Sequence, residues 1–390
     1  MSFILKCFKT EIQPTAEQIQ KINKTIGVCR YVYNFYIIHN KELYKKEKSF
    51  MTANQFSVWL NKEYIPNNPS YKWIKDVSSK SVKNAIQNAY HAYQRYFKHL
   101  SGFPKLKKKN KSNIKMYFVK NSNTDCYCER HRIKIPTLGW VKLKEKGYIP
   151  TSKNGYIIKS GTVSHQSDRY YVSVVIDIPD IPKPKLENYG IGIDLGVKEL
   201  AVMSNGVVKK NINKTAKVRR IEKQLRREQR CLARKLLQKQ KTKKGESTQS
   251  KNIYKQIIKI QKLYQRLTNI RTDYINKTIS EIVKSKPSYI TIEDLNISGM
   301  MKNRHLSKAI ASQKFYEFRT KLEIKCKELG IELRMVDRWY PSSKLCHQCG
   351  NIKKDLKLSD RTYICKCGYH ANRDYNASLN LRDALTYKIT

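Results

Sequence analysis

The stretch YGIGIDLGVKELAVMSNGVVKK, residues 189–210, sets a carboxylate inside an apolar run. GIGI and LAVM, rich in Ile and Val, read as strands, and the SNG between LAVM and VVKK signals a hairpin turn. Asp194 sits in the middle of the first of these runs. A carboxylate taken out of water costs several kcal/mol unless it is paired or coordinates a metal. Any fold for this chain must therefore supply a partner for Asp194.

The chain has 390 residues, enough for two or three domains with their own cores. Its 79 Lys and Arg against 31 Asp and Glu leave a net charge of +48, which points to a polyanionic partner. The 26 tyrosines dispersed among these cations suit base stacking. A ribosomal-type protein that only neutralises phosphate is the bland alternative, and the length and the enclosed Asp194 argue against it. No apolar run approaches the ~20 residues needed to span a membrane. The N-terminus MSFILKCFKTEIQPTAEQ lacks the apolar core of a signal peptide and reads as a strand. Cys7, Cys29, Cys126, Cys128, Cys231 and Cys326 show no framework spacing, which fits a reducing compartment. The expected location is cytoplasmic and, in a prokaryote, nucleoid-associated.

After the first strand, Pro14 and Thr15 precede a helix with Ile19, Ile22, Ile26, Cys29 and Tyr33 on one face. A second helix carries Val82, Ile86, Ala89, Tyr93 and Tyr96 on its apolar side, with Lys80, Lys83, Asn84, Gln87 and Arg95 elsewhere. Lys80, Asn84 and Gln87 share one face, where amide and ammonium groups suit hydrogen bonding to base edges. The basic loop GFPKLKKKNKSN then leads into short alternating segments that read as an antiparallel β module, closed by the Pro-punctuated DIPKPK. From Val208 to Lys244 the chain has sixteen Lys and Arg against two Glu. Val218, Ile221, Leu225, Leu232 and Leu236 form one helical seam there, and Ile253, Ile257, Ile260, Tyr264, Leu267 and Tyr274 a second. Such an antiparallel pair, with Arg219, Arg220, Arg226 and Arg227 on the cationic side, repels itself unless something anionic lies alongside.

Cys346-x2-Cys349 and Cys365-x-Cys367 have zinc-ribbon spacing, the second pair one residue tight. Gly350 and Gly368 each follow the second cysteine of a pair, where glycine permits the turn that aims N–H groups at thiolates. One structural zinc on Cys346, Cys349, Cys365 and Cys367 is the expectation, with His347 and His370 as loop residues and no metal at Cys126 and Cys128. Two further acids stand out. Glu293 ends the apolar strand of KPSYITIEDLNISGM, beside Asp294, and Asp374 opens a helix in ANRDYNASLNL with Asn376 and Asn380 recurring on one side. Singly they read as a solvated strand end and ordinary caps. Together, Asp194, Glu293 and Asp374 can converge on one sheet edge and share two divalent cations, which hold phosphate oxygens and activate water. GIDLG is also similar to the first phosphate loop of actin-like ATPases, but Val197-Lys198 replaces its Thr or Ser and the chain has no Gly-Gly pair for a second loop.

The order GIDLG, IEDLNISGM, YPSSKLCHQCG, CKCG, NRDYNASLN resembles the RuvC-type core of transposon-encoded TnpB proteins, the compact relatives of type V CRISPR effectors. RYVYNFY, GFPKLKKK and RTDYINKTIS extend the likeness over nearly the whole chain. The resemblance implies an α+β multidomain fold. Its parts are an RNase H-like RuvC mixed sheet (187–345 and 370–390, with the basic helical pair at 208–285), an inserted zinc ribbon (346–369), a wedge β-barrel (1–14 and 103–186) and an inserted helical recognition domain (15–102). It implies a catalytic triad of Asp194, Glu293 and Asp374 binding two Mg²⁺, with Arg373 and Asn376 supporting Asp374. It further implies RNA-guided cleavage of target DNA next to a short flanking motif, with a noncoding guide RNA and one protein per RNA. Asn276 stands where many relatives have His. A nuclease-inactive or non-guided nucleic-acid-binding protein is the alternative.

Overall fold

A reciprocal cap sets the first boundary. The Thr15 hydroxyl accepts from the Gln18 N–H (3.3 Å) while the Gln18 side chain accepts from the Thr15 N–H (2.9 Å). This capping box separates strand β1 (Phe3–Gln13) from helix α1 (Ala16–Glu47), where the sequence predicts the break. The computed structural model describes residues 3–109, 112–122, 125–179, 182–241, 251–357 and 360–390. It divides into two compact units, Met1–Ile181 and Pro182–Thr390.

In the first unit α1 is followed by α2 (Ala53–Trp59), α3 (Ile65–Asn67) and α4 (Ser79–Phe97). Strands β2 (Met116–Val119), β3 (Tyr127–Cys128), β4 (Arg132–Ile135), β5 (Gly139–Leu143), β6 (Ile157–Gln166) and β7 (Arg169–Pro179) complete it. All pair antiparallel in the order β2-β6-β7-β1-β5-β4-β3. Among the described residues no ladder joins β2 to β3, so a seven-stranded sheet stands where a barrel was expected. Cys126 and Cys128 are buried in its apolar core. Val82, Ile86, Ala89 and Tyr93 of α4 pack with Val28, Val32 and Tyr36 of α1. Tyr96 departs from the expected stripe: it is exposed and lies edge-on to Phe103 of the following loop. That basic loop is pinned, because the Asn34 amide donates to the Lys107 carbonyl (2.9 Å) and accepts from its N–H (2.7 Å).

The second unit contains β8 (Glu187–Leu195), β9 (Glu199–Met203), β10 (Val208–Lys210), α5 (Ala216–Lys241), α6 (Lys251–Lys284) and β11 (Pro287–Glu293). After these come α7 (Ile297–Met300), α8 (Ser307–Gln313), α9 (Phe315–Leu329), β12 (Glu332–Val336), β13 (Thr362–Ile364), β14 (His370–Asn372), α10 (Arg373–Arg382) and β15 (Lys388–Ile389). The main sheet runs β10-β9-β8-β11-β12-β15, with β8, β11 and β12 mutually parallel and the rest antiparallel. Gly206, at φ +83°, makes the expected turn between β9 and β10, a left-handed conformation that favours glycine.

Helices α5 and α6 form the expected pair, burying Val218, Ile221 and Leu225 against Ile260, Leu263 and Leu267. Leu236 and Tyr264, assigned to the seam from sequence, are exposed; Leu263 takes the place given to Tyr264, one residue away around the helix. Tyr264 instead accepts a hydrogen bond from the Gln229 amide (2.7 Å).

Side-chain alternation along β8 answers the question raised by Asp194. Ile191 and Ile193 face the core built with Ile275, Ile279, Phe318 and Leu322 of α6 and α9. Gly190, Gly192 and Asp194 therefore face the other side, where α10 lies. A Cβ on Gly192 would stand 2.0 Å from the Ser378 carbonyl oxygen and 2.4 Å from the Arg382 nitrogen, both backbone atoms of α10. The glycine lets this helix lie directly on the strand that carries Asp194. Gly192→Ala is expected to cost about 3 kcal/mol in denaturant unfolding, since the clash is with backbone. Gly27→Ala, inside α1 with nothing within 4 Å of the new methyl, is expected to gain about 0.5–1 kcal/mol.

Candidate functional site

Parallel pairing sets Ile193 of β8 opposite Ile292 of β11, so Asp194 and Glu293, one residue on, end adjacent strands on the same face. Asp374 enters from above, in the first turn of α10. Asn372 is the N-cap of that helix, accepting from the N–H groups of Asp374 (3.0 Å) and Tyr375 (3.2 Å), so Asp374 is not the cap that its sequence context suggests. Nor does Asp294 cap α7. Asn296 does so, accepting from the Gly299 N–H (2.9 Å), while Asp294 pairs with Arg319 (2.8 Å).

Asp194 feels the other two acids. Burial first, then the charges of Glu293 and Asp374, push the Asp194 carboxyl up to about 8, against a smaller opposing pull from Arg373. Asp194 keeps some contact with solvent; the dense protein around it, rather than complete enclosure, desolvates it. Burial also raises Glu293, against the effect of a hydrogen bond donated by the Ser342 hydroxyl. Arg373 (3.4 Å) and Arg361 (3.9 Å) flank the Asp374 carboxylate. Asn376, expected to support Asp374, turns its amide to the Leu345 carbonyl (2.7 Å) and the His347 N–H (3.2 Å) instead. Three carboxylates gathered at one strand edge, with the charges of Glu293 and Asp374 acting on buried Asp194, are a donor set that fits hard divalent cations. A groove of about 450 Å³ opens at Asp374, lined also by Lys198, Glu199, Asn372 and Tyr375 among others.

Among the described residues, only Cys346, Cys349, Cys365 and Cys367 bring three or more ligand atoms within 4.8 Å of one another. The sulfurs of Cys346 and Cys367 are 3.7 Å apart, and those of Cys349 and Cys365 3.6 Å. A tetrahedron with Zn–S bonds of about 2.3 Å has edges of about 3.8 Å, whereas a disulfide would need about 2.05 Å. Gly350 (φ +72°) and Gly368 (φ +87°) turn the two knuckles as expected. The Cys367 backbone N–H is the main cause that lowers the Cys365 thiol to about 7. His347 sits in a turn, while His370, expected in a loop, begins β14.

On α5, Arg220, Lys223, Gln224, Arg227, Arg230 and Arg234 line a groove of about 580 Å³ along one helix face. Both acids of this helix are engaged across the pair, Glu222 with Arg271 (3.0 Å) and Glu228 with Gln256 (2.6 Å). Of the four arginines named from sequence, Arg220 and Arg227 lie in the groove. Arg219 and Arg226 are exposed beside it, and Lys223, Arg230 and Arg234 were missed. Their three- and four-residue spacing was the available signal. A smaller groove between α2 and α4, about 290 Å³, takes Gln87 and Lys83 together with Asn54 and Ser57. Lys80 and Asn84 are not in it. Asn84 accepts from the Asn88 amide (2.9 Å).

Comparison with known proteins agrees with this layout. Residues 315–381 match the profile "Cas12f1-like, TNB domain", 173–304 "Probable transposase" of the OrfB/IS605 type, and 1–49 the associated "Helix-turn-helix domain". The last stretch is here a strand followed by the single long helix α1. A solved Cas12f1, in complex with sgRNA and target DNA, superposes over 99% of this chain and 100% of its own at a TM-score of 0.64 and 16% identity, a likeness of fold. The chain thus has a mixed α/β, Cas12f-like fold with a four-cysteine TNB ribbon. A protein of Streptomyces pristinaespiralis provisionally named RNA-guided DNA endonuclease is 28% identical over 98% of this chain and 89% of its own. InsQ of Escherichia coli K12, with the same provisional name, is 28% identical over 97% and 91%. Together these matches support a TnpB-family protein.

The raised carboxyls make a pH prediction. Between the ordinary carboxylate range and about 8, the folded state holds a proton on Asp194 that the unfolded chain has released. Stability of the metal-free protein must therefore fall as pH rises through that window. In chelator, the thermal midpoint of the wild type should drop from pH 5 to pH 8. Asp194→Asn should be the more stable protein at pH 8 and show a weaker pH dependence.

Proposed function

We propose that this chain is the RNA-guided DNA endonuclease of a transposon, cutting target DNA beside a short flanking motif by two-metal-ion phosphodiester hydrolysis. The nuclease reading rests on one observation, the gathering of Asp194, Glu293 and Asp374 at one end of β8, β11 and α10, where burial and then the charges of Glu293 and Asp374 raise the Asp194 carboxyl to about 8. RNA guidance is supported by the relatives that carry that name over almost the full length of this chain. An antiparallel hairpin on one side of β8 and parallel strands on the other support an RNase H-like, RuvC-type domain. In this reading Pro182–Thr390 contains the nuclease domain and its ribbon, and Met1–Ile181 the wedge and recognition parts.

Asp194, Glu293 and Asp374 would hold the two Mg²⁺ ions, which supply an activated water and a stabilised leaving oxygen. Asp194 would give up its proton to solvent on entering that role. Arg373 and Arg361 keep charge balanced at Asp374. Lys198 lines the groove beside Asp374, where a phosphate would lie. Cys346, Cys349, Cys365 and Cys367 would hold zinc with no position open for water, so its role is structural. The cationic face of α5 would carry the guide RNA, and the α2–α4 groove, rather than Lys80 and Asn84, would face base edges of the flanking motif. Among the described residues no helix is long and apolar enough to cross a membrane. A prokaryotic cytoplasm is the location this reading implies.

Asp194→Ala, Glu293→Ala and Asp374→Ala should each abolish cleavage of a matched DNA by the ribonucleoprotein, with RNA affinity retained. Normal cutting by any one of them would remove that residue from the site. Guide binding should weaken with salt at a log–log slope of roughly −0.7 to −0.9 per phosphate contact. Replacing Arg220, Arg227, Arg230 and Arg234 by Gln should flatten the slope by about three units, whereas an unchanged slope would make α5 an ordinary solvated face.

A further inference from the structure

A buried polar chain runs between the cysteine ribbon and Glu293. Ser342, Asn376 and Asn380 are at most 4% exposed. Asn376 and Asn380 lie one turn apart on α10, and both amides donate to the Leu345 carbonyl at 2.7 Å. Leu345 directly precedes the first ribbon cysteine, and the Asn376 side-chain oxygen accepts from the His347 N–H just after it (3.2 Å). Asn380 also donates to the Ser342 carbonyl (2.7 Å), and the Ser342 hydroxyl donates to Glu293. Tyr340 closes the loop by donating its phenol to the Asn380 carbonyl (3.2 Å). A buried amide left without these partners would cost about 1–3 kcal/mol, so the segment from Tyr340 to His347 has one favoured path.

We infer that Ser342 is a positioning residue for Glu293 and that the ribbon acts on the acid site through it, by way of Asn376, Asn380 and Leu345. This rests on the nuclease reading above. A carboxylate has several lone-pair directions, and a hydroxyl fixed on one oxygen decides which remain for a cation. Partners that orient metal ligands in this way typically change metal affinity 10–100-fold when removed. The loop cannot shift by itself, because the two asparagines tie it to the same helix that carries Asp374. Ribbon, Glu293 and Asp374 are thereby set by one helix.

The test uses the ribonucleoprotein with full-length Ser342→Ala and Ser342→Thr. Mg²⁺ binding is followed by calorimetry, and cleavage is followed against Mg²⁺ concentration. Ser342→Ala should weaken Mg²⁺ about tenfold or more, raise the half-saturating Mg²⁺ of cleavage equally, and leave zinc content and RNA affinity unchanged. Ser342→Thr, which keeps the hydroxyl, should restore both values. Cys365→Ser should weaken Mg²⁺ as well, and its effect should not multiply with that of Ser342→Ala, since both break one chain. Wild-type Mg²⁺ binding by Ser342→Ala, or full multiplication of the two effects, would overturn the inference. If instead Glu293→Ala cuts normally, the nuclease reading itself fails.

Discussion

The burial of Asp194 beside two further carboxylates is the constraint around which the second unit is arranged. Two of them end adjacent parallel strands and the third caps that edge from a helix, so none can retreat to solvent without undoing the sheet register or the helix packing. Burial, and then the charges of Glu293 and Asp374, lift the Asp194 carboxyl. Isolated from any cation, the fold limits the cost of the buried charge by holding a proton. Under the proposed function, divalent cations bound at this edge would remove that cost.

The geometry that enforces the crowding comes from the smallest residues in the stretch. Gly192 lets the backbone of α10 rest on β8, and the same close approach brings the first turn of α10, with Asp374, over Asp194. Asn376 and Asn380, farther along α10, fasten the path into the ribbon. The ribbon, α10 and the two strand ends are therefore one mechanical unit. The α5–α6 pair is organised differently: its acids are turned inward to Arg271 and Gln256, which leaves its outer face cationic for a polyanion.

Much of this was legible in the sequence because the signals were local. The cysteine knuckles, the hairpin at SNG, the Thr15 helix start and the strand ends at Asp194 and Glu293 each follow from a few neighbouring residues. The misses required knowledge of what lies opposite. Tyr96, Leu236 and Tyr264 fit an apolar period, but an apolar stripe is buried only as far as its partner extends. Asp374 and Asp294 resemble caps, yet asparagines two residues from each take that role. Asn376 stands beside the acid in sequence and faces the ribbon in space. Gly192 and Ser342 gave no signal of their own function, since each acts through a contact with a segment distant in the chain.

The central claim is that the acid site exchanges the proton held on Asp194 for divalent cations. Calorimetric titration of Mg²⁺ into the ribonucleoprotein at pH 7, in two buffers of different ionisation heat, counts the protons released on binding. With the Asp194 carboxyl lifted to about 8, binding should expel close to one proton per chain at pH 7, and fewer as the pH approaches 9. Asp194→Asn should release none and bind far more weakly. Tight Mg²⁺ binding without proton release, or undiminished binding by Asp194→Asn, would contradict the account.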